Sequence, residues 1–246
     1  MIDLRSKRVV ISGGGTGIGL ECAHMLVEQG AQVALLGRRA EALEAAAADL
    51  GEGAQAWPCD VSDPEAVAAV ADRARDHWGA VDGLVNNAGI APMASLDDTS
   101  NELWEQVFAI NVRGPFLLCR DLGPLLREGR SASVVNISST LAERAIPGMA
   151  GYNASKAALN QMTRSLALEW APQIRVNAVM PAVVDTPIHS GRGMSSDDVQ
   201  QLGSMHPMGR VGLPADIASM VLYLLSEKAA WMTGTVIPVD GGVLAS

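Results

Sequence analysis

The chain has few cysteines and no pattern of metal ligands. Its three cysteines are odd in number, and no two of them form a Cys-x-x-Cys pair. We therefore expect reduced thiols in a cytoplasmic protein. The four histidines show no metal-ligand spacing among themselves or with the cysteines, so no metal site is predicted. The residues concerned are Cys22, Cys59, Cys119, His24, His77, His189 and His206.

Long apolar runs are also absent. No run approaches the ~20 residues that a membrane-spanning helix needs, and the first seven residues contain no apolar signal core. The net charge of −9 argues against general binding to nucleic acid or to anionic membranes. This charge does not exclude a small anionic ligand that is bound by a few nearby basic residues.

Short apolar runs alternate with stretches of helical spacing along the 246 residues. Such alternation predicts a doubly wound parallel sheet with helices on both faces. Because 48% of the residues are apolar and no linker or repeat is visible, one α/β domain over residues 1–246 is expected. The seven predicted strands are 8–12, 32–37, 54–57, 83–86, 133–137, 174–179 and 235–239.

Three helices carry specific signals. Asp63 is predicted to cap a helix that has Pro64 at its first position. A long helix is predicted from 102 to 126, with a kink at the Gly-Pro pair 114–115. A third helix is predicted to carry Tyr152 and to end near residue 170.

The first predicted strand runs directly into a glycine-rich turn, and a helix follows. Glycines allow a tight turn and let a phosphate approach the backbone, while the helix N-terminus adds amide donors and a positive dipole. The spacing Gly-x3-Gly-x-Gly differs from the GxGxxG fingerprint, but its mechanics are similar. The turn comprises Gly13, Gly14, Gly15, Thr16, Gly17, Ile18 and Gly19.

Two arginines follow the second predicted strand. A chain that selects NAD would place a carboxylate near this point to bind the ribose hydroxyl. This chain places Gly37, Arg38 and Arg39 there. Guanidinium groups suit the extra 2′-phosphate of NADP(H). The alternative is two solvated arginines at a helix start, with NAD(H) as the cofactor.

Tyr152 and Lys156 form the most informative pair. Residues four apart share one face of a helix, so the phenol and the ammonium are expected to point into one site. A nearby positive charge favours the phenolate and lowers the pKa of the tyrosine, which suits a general acid at neutral pH. The alternative is an incidental pair on a surface helix.

The segment 186–214 has a weak pattern and contains five glycines and three prolines. Long segments of this kind are often lids or binding loops, and methionine side chains form an adaptable apolar wall. We predict a substrate lid here. An ordinary connector is the alternative.

Further motifs follow the glycine turn along the chain. In order, the set comprises the Gly13–Gly19 turn, Cys-Asp-Val at 59–61, Asn-Asn-Ala-Gly at 86–89, Asn111, Asn-Ile-Ser-Ser at 136–139, Tyr152-x3-Lys156, Arg-Val-Asn-Ala-Val-Met-Pro at 175–181 and Asp-Gly-Gly at 240–242. With these motifs the chain resembles the single-domain short-chain dehydrogenases/reductases of about 250 residues, over nearly its whole length. The resemblance implies a Rossmann-like fold and an NAD(P)-dependent enzyme.

The resemblance implies a catalytic tetrad of Asn111, Ser139, Tyr152 and Lys156. Ser139 would polarise the substrate carbonyl, and Tyr152 would give or take the proton. Lys156 would hold the nicotinamide ribose and acidify Tyr152, and Asn111 would anchor a water in the proton relay. Ser139 is chosen over Ser138 because it lies thirteen residues before the tyrosine, as in the family.

The same resemblance implies the cofactor contacts. Asp60 and Val61 would frame the adenine, and residues 87–89 would line the ribose. Val184 and Thr186 would fix the carboxamide. The full predicted set is Gly13, Gly15, Thr16, Gly17, Ile18, Gly19, Arg38, Arg39, Asp60, Val61, Asn87, Ala88, Gly89, Tyr152, Lys156, Pro181, Val184 and Thr186.

Several residues depart from the family pattern. Ser12 replaces the usual threonine before the first glycine, and Ala182 stands where glycine is usual. Thr16 occupies a position that is basic in many NADP-dependent members. The segment 141–146 lines the substrate pocket in the family but lacks the common glycine pattern. The predicted substrate residues are Leu141, Glu143, Ile146, Met149 and His189.

The sequence thus predicts an NADP(H)-dependent oxidoreductase that interconverts a ketone and a secondary alcohol, with Tyr152 as the acid in reduction. An NAD(H)-dependent alcohol dehydrogenase that works in the oxidative direction is the first alternative. A nucleotide-sensing protein on the same fold is a remote one, since fold does not fix function. The family implies a homotetramer or a homodimer.

Overall fold

A single parallel sheet of seven strands forms the centre of the molecule. The computed structural model describes residues 2–189 and 193–246. The strands lie in the order β3-β2-β1-β4-β5-β6-β7, and all neighbours are parallel. They are β1 (Arg8–Ser12), β2 (Gln32–Gly37), β3 (Ala54–Pro58), β4 (Gly83–Asn86), β5 (Ala132–Ile137), β6 (Ile174–Pro181) and β7 (Val236–Val239).

Eight α-helices connect these strands in the described residues, and the longer ones pack on both faces of the sheet. Helices α1, α2 and α8 contribute to the core on one face, and α3, α5 and α6 to the core on the other. The doubly wound arrangement that the sequence predicts is therefore confirmed. The helices are α1 (Gly17–Glu28), α2 (Ala40–Leu50), α3 (Pro64–Trp78), α4 (Asn101–Phe108), α5 (Gly114–Arg127), α6 (Ala150–Trp170), α7 (Ser196–Gln201) and α8 (Pro214–Leu225).

The strands are apolar because both of their faces are covered. In β1, Val10 packs into one core while Val9 and Ile11 pack into the other, as successive residues of a strand point to opposite faces. A strand that is buried on both sides loses the usual alternation of polar and apolar residues. This is why short apolar runs locate all seven strands to within two residues at either end.

The predicted cap of α3 is present. The Asp63 carboxylate accepts a hydrogen bond of 2.9 Å from the Glu65 amide, and Pro64 is the first helical residue.

The predicted helix 102–126 is interrupted, and the interruption ends directly before the Gly-Pro pair 114–115 at which a kink is predicted. The structure shows α4, then a π-helical turn at Ala109–Arg113, and then α5. Pro115 has no amide hydrogen, so it cannot donate to the Asn111 carbonyl four residues earlier. The irregular turn therefore comes before the proline, and it contains Asn111.

The predicted lid contains regular structure. Within 186–214, α7 is followed by a short 3₁₀ helix at Leu202–Met205, while residues 190–192 lie outside the described residues. No helix in the described part of the chain is long and apolar enough to cross a bilayer.

A buried carboxylate joins the amino ends of three strands. Asp82 is fully buried and accepts hydrogen bonds from the Arg8 amide (2.9 Å) and the Arg8 guanidinium (2.8 and 3.0 Å). It also accepts a 2.6 Å bond from the Arg130 amide. Burial raises the pKa of Asp82, but these hydrogen bonds outweigh it, and the pKa lies below its ordinary value. The carboxylate therefore stays ionised and ties β1, β4 and β5 together.

We predict that Asp82→Ala lowers the free energy of unfolding by about 3 kcal/mol, because it leaves a guanidinium and an amide without their acceptor. Since the pKa of Asp82 is lowered on folding, its stabilisation exists above the unfolded pKa of ~3.9 and disappears as the pH falls. Urea denaturation is the measurement.

The exposed Asp72–Arg75 pair provides the control, because Asp72→Ala is expected to leave stability within error of the wild type. Equal losses in the two variants, or a gap between Asp82→Ala and the wild type that does not narrow as the pH falls below the unfolded pKa, would contradict the role of Asp82.

Candidate active site

Ser12 and Asn87 join the carboxyl ends of β1 and β4. The Ser12 hydroxyl accepts 3.0 Å hydrogen bonds from the amides of Asn87 and Ala88. In return, the Asn87 side-chain amide donates to the carbonyl oxygens of Ser12 and Gly13, both at 3.0 Å. The sequence alone marked Ser12 only as a departure from threonine. The structure shows that its hydroxyl fixes the loop after β4 against the glycine turn.

The glycine turn is packed too closely for side chains at two positions. Gly13 adopts a φ of +64°, which favours glycine. A Cβ on Gly19 would collide with the Gly13 carbonyl oxygen and would lie 2.6 Å from the Asn87 side-chain nitrogen. These glycines let the start of α1 approach the end of β1, so the helix N-terminus faces the cleft.

A cleft of about 400 Å³ lies beyond the carboxyl ends of β1, β2, β3 and β4. It brings together most of the residues that the sequence predicts for the adenosine half of a dinucleotide. These are Gly13, Gly15, Thr16, Arg38, Arg39, Asp60, Val61, Ala88 and Gly89. Leu36, Ala42, Leu43, Cys59, Ile90 and Ile110 complete the wall and are not among the predicted cofactor residues. Cys59 belongs to the Cys-Asp-Val motif, and the apolar character of the other five gave no functional signal.

Charges of both signs meet at this cleft. Arg38 and Arg39 are exposed, while the Asp60 carboxylate accepts hydrogen bonds from the Ser62 amide (2.9 Å) and hydroxyl (2.7 Å). Burial raises the pKa of Asp60, but the bonds from Ser62 and the charge of Arg38 lower it further than burial raises it. The cleft therefore offers two cations at its mouth and one ionised carboxylate inside.

The beginning of the predicted lid lies over the glycine turn. A Cβ on Gly17 would lie 3.2 Å from the Thr186 side chain, and the Thr186 hydroxyl donates to the Val184 carbonyl at 3.3 Å. Val184 also forms an isolated parallel bridge with Gly212. This bridge joins the two ends of the segment, and Pro181 ends β6 just before it.

Lys156 is buried on α6 and lies close to Tyr152. Its ammonium donates a 2.8 Å hydrogen bond to the Ile137 carbonyl, and its nitrogen lies 5.8 Å from the centroid of the Tyr152 ring. Burial lowers the pKa of Lys156 to about 8. With this pKa, the lysine is mainly charged at neutral pH.

The Tyr152 ring is mostly buried among apolar side chains. It packs with Ala91 and Met149, and Leu141 covers the same cluster. Two of the five predicted substrate residues thus lie against this ring. Glu143 and Ile146 are exposed beyond the short 3₁₀ helix 140–142. His189 is buried within its own loop, where a ring nitrogen lies 3.0 Å from the Val184 carbonyl.

The two candidate serines have different surroundings. The Ser138 hydroxyl donates to the Lys156 carbonyl on α6 at 3.5 Å. The Ser139 hydroxyl accepts a 3.1 Å bond from the Leu141 amide, which leaves its own proton available to another acceptor. This difference fits the choice of Ser139 as the donor to a substrate oxygen.

Asn111 holds the loop after β4 through its side chain. Its oxygen accepts from the Ile90 amide at 3.0 Å, and its nitrogen donates to the Ile90 carbonyl at 2.9 Å and to the Ser155 hydroxyl at 3.0 Å. A Cβ on Gly89 would lie 3.3 Å from the Asn111 oxygen and 3.6 Å from the Lys156 nitrogen. The absent side chain leaves room for a ligand between the cleft and Lys156, so the residues present fit a dinucleotide.

Comparisons with known proteins agree with this geometry. A family model described as "Enoyl-(Acyl carrier protein) reductase" matches residues 13–244. The chain is 36% identical over 250 residues to 2-(S)-hydroxypropyl-CoM dehydrogenase 3 of Xanthobacter autotrophicus, and the match covers 98% of both chains. It is 35% identical over 248 residues to the NADP-dependent (R)-specific alcohol dehydrogenase of Lentilactobacillus kefiri, again over 98% of both.

The fold is shared with solved structures over the same length. The 3-ketoacyl-(acyl-carrier-protein) reductase of Brucella melitensis, complexed with NADH, matches with a TM-score of 0.92 and 34% identity. The match covers 98% of this chain and 99% of that one. The likeness therefore extends well beyond the glycine turn and includes the elements that carry Tyr152 and Lys156.

We predict that Gly19→Ala lowers the free energy of unfolding by about 1–3 kcal/mol through overpacking. Alanine is favoured over glycine in an isolated helix, so a loss must come from the collision with Gly13 and Asn87. The matched control is Gly15→Ala, whose Cβ would have one tight neighbour, the flexible end of Leu43 at 3.2 Å, and its other neighbours at an ordinary 3.9 Å. Urea denaturation of both variants measures the difference, and equal stability of Gly19→Ala and the wild type would refute the packing argument.

Proposed function

Since the chain belongs to the short-chain dehydrogenase/reductase family, we propose that it interconverts a ketone and a secondary alcohol with NADP(H), and that Tyr152 is its acid–base residue. The observation that carries this proposal is the placement of Tyr152 and Lys156 on one turn of α6, with the buried ammonium 5.8 Å from the ring centroid. The pair lies at the carboxyl side of the sheet, where open α/β sheets bind ligands.

Each residue of the site has a separate task. The Tyr152 hydroxyl gives its proton to the substrate oxygen in reduction and takes it back in oxidation. The Ser139 hydroxyl donates a hydrogen bond to the same oxygen, and the Lys156 charge favours the tyrosinate that remains. When bound, the nicotinamide supplies or accepts the hydride. The Asn111 side chain fixes the loop beside Lys156 through its bonds to Ile90.

The preference for NADP(H) is proposed from the end of β2. Arg38 and Arg39 line the cleft. Gly37, the last residue of β2, comes directly before them and offers no carboxylate. Arginine binds a phosphate through paired, charge-assisted hydrogen bonds. NAD(H) remains the rival, because one matched protein is named as NADP-dependent while one matched structure holds NADH.

The remaining features follow from the same proposal. Segment 186–214 covers the substrate, and the apolar side chains of Leu141 and Met149 beside Tyr152 suit a fairly hydrophobic carbonyl compound. Glu143, Ile146 and His189 stay predicted substrate residues, but they lie outside this cluster: Glu143 and Ile146 are exposed beyond the 3₁₀ helix, and His189 is buried within its own loop. We further propose a cytoplasmic homotetramer or homodimer, as the family implies.

Tyr152→Phe removes the proton donor and keeps the ring. Its kcat is expected to fall at least ~100-fold, the low end for loss of a general acid, while binding of NADPH, followed by fluorescence, changes little. The second of the two tyrosines supplies the control: Tyr223→Phe removes only a hydroxyl that donates to the Lys228 carbonyl and is expected to keep full activity. Near-normal turnover of Tyr152→Phe would end the assignment.

Cofactor choice is tested at Gly37 and Arg38. A charge-assisted hydrogen bond is worth roughly 1.5–3 kcal/mol, which predicts about a ten- to hundredfold preference for NADPH over NADH in kcat/KM. Arg38→Ala is expected to weaken the NADPH reaction and to leave the NADH reaction almost unchanged. Gly37→Asp adds a carboxylate that repels the 2′-phosphate and binds the ribose, so it inverts the preference.

Gly37→Ala separates the charge from the added bulk. A Cβ at this position would lie 3.5 Å from the Leu43 side chain, an ordinary contact. The alanine variant should therefore keep the wild-type preference. If the wild type prefers NADH, or if Arg38→Ala weakens both reactions equally, the arginines are surface charge and the NAD(H) alternative holds.

A further inference from the structure

Ser155 connects two members of the proposed tetrad. It is fully buried, and its hydroxyl accepts a 3.0 Å hydrogen bond from the Asn111 side-chain nitrogen. The same hydroxyl donates a 2.7 Å bond to the Tyr152 carbonyl. Ser155 thus links the π-helical turn that carries Asn111 to the turn of α6 that carries Tyr152 and Lys156.

On the other side of this link, the Asn111 side-chain amide makes three hydrogen bonds. Its nitrogen has two hydrogens, and they go to the Ile90 carbonyl and to Ser155. Its oxygen accepts from the Ile90 amide. The Asn111 side chain therefore acts as a bracket between the loop after β4 and Ser155, and any other acceptor for its nitrogen would replace one of these two bonds.

A second bracket of the same chemistry lies further along α6. Thr163 is also fully buried, and its hydroxyl accepts a 2.8 Å bond from the Asn136 side chain and donates a 2.8 Å bond to the Leu159 carbonyl. Each bracket therefore consists of an asparagine amide, a hydroxyl and a helix carbonyl. The two brackets differ in position: the Ser155 bracket holds the turn of α6 that carries Tyr152 and Lys156, whereas the Thr163 bracket lies further along the helix.

We propose that Ser155 is a positioning residue, which sets the placement of Tyr152 and Lys156 relative to the loop after β4 by bridging Asn111 to the Tyr152 carbonyl. The proposal rests on the proposed function. Without the hydroxyl, two buried polar groups lose a partner, and the first turns of α6 move to recover bonding or hydration. A displacement of about 1 Å at reacting groups can cost up to 100-fold in rate.

The experiment compares Ser155→Ala with Thr163→Ala in the full chain. Both remove the same kind of bracket from the same helix, so urea midpoints are expected to fall in both. Only Ser155→Ala is expected to lower kcat, by about 10- to 100-fold, and to move the rising limb of the pH profile for alcohol oxidation to higher pH. Thr163→Ala should keep kcat within about twofold and leave the profile in place.

A titration without cofactor gives a second readout. The chain has two tyrosines, so ultraviolet difference spectra follow the ionisation of Tyr152 once Tyr152→Phe has assigned its signal. Ser155→Ala is expected to move this ionisation to higher pH, because the Lys156 charge is held less closely to the phenol. If Ser155→Ala does not fold, Ser155→Cys keeps the volume with a weak donor and acceptor and is expected to show the same shift.

Two outcomes separate the claims. If Ser155→Ala and Thr163→Ala give the same kcat, the same profile and the same tyrosine titration, Ser155 is merely structural and the inference is overturned. If Tyr152→Phe retains normal turnover, the proposed function itself fails, whatever the serine variants show.

Discussion

The hydrogen bonds between Ser12 and Asn87 are the constraint on which the rest of the site depends. They fasten the glycine turn to the loop after β4. That loop continues to Ile90, which is bracketed by Asn111, and Asn111 reaches Tyr152 through Ser155. These part-buried and buried hydrogen bonds, joined by the backbone from Ala88 to Ile90, connect the dinucleotide cleft to the proposed acid–base residue, so the two halves of the site share a common frame.

The two ends of the sheet serve different purposes. At the amino ends of the strands, Asp82 and Arg8 form a closed network of charge and backbone amides that stabilises the strand order. At the carboxyl ends, polar groups such as Lys156 and Ser139 stay near the cleft. Burial lowers the pKa of Lys156 to about 8, because a charged group is less stable in a buried environment than in water. Shifted pKa values of this kind are common at functional sites.

The sequence predicts the strands, the helices α3 and α6 and the glycine turn, because burial on both faces and tight backbone packing each restrict residue type strongly. It does not predict the roles of Ser12 and Ser155, since a small hydroxyl residue is compatible with many environments. The irregular turn at Asn111 escaped prediction for another reason: Pro115 marks a missing donor, but the backbone can adjust before or after it. Long-range partners such as Asn87 and Gly13 become visible only when β1 and β4 are adjacent.

The Val184–Gly212 bridge has a consequence for how this enzyme changes over evolutionary time. Because the bridge closes segment 185–211 at its base, the length of that segment is nearly independent of the sheet beneath it. Loop-closure entropy grows slowly, by about 0.6 kcal/mol for each doubling of length. Insertions, deletions or exchanges between the two bridged residues can therefore remodel the proposed lid at small thermodynamic cost, while α6 keeps its place.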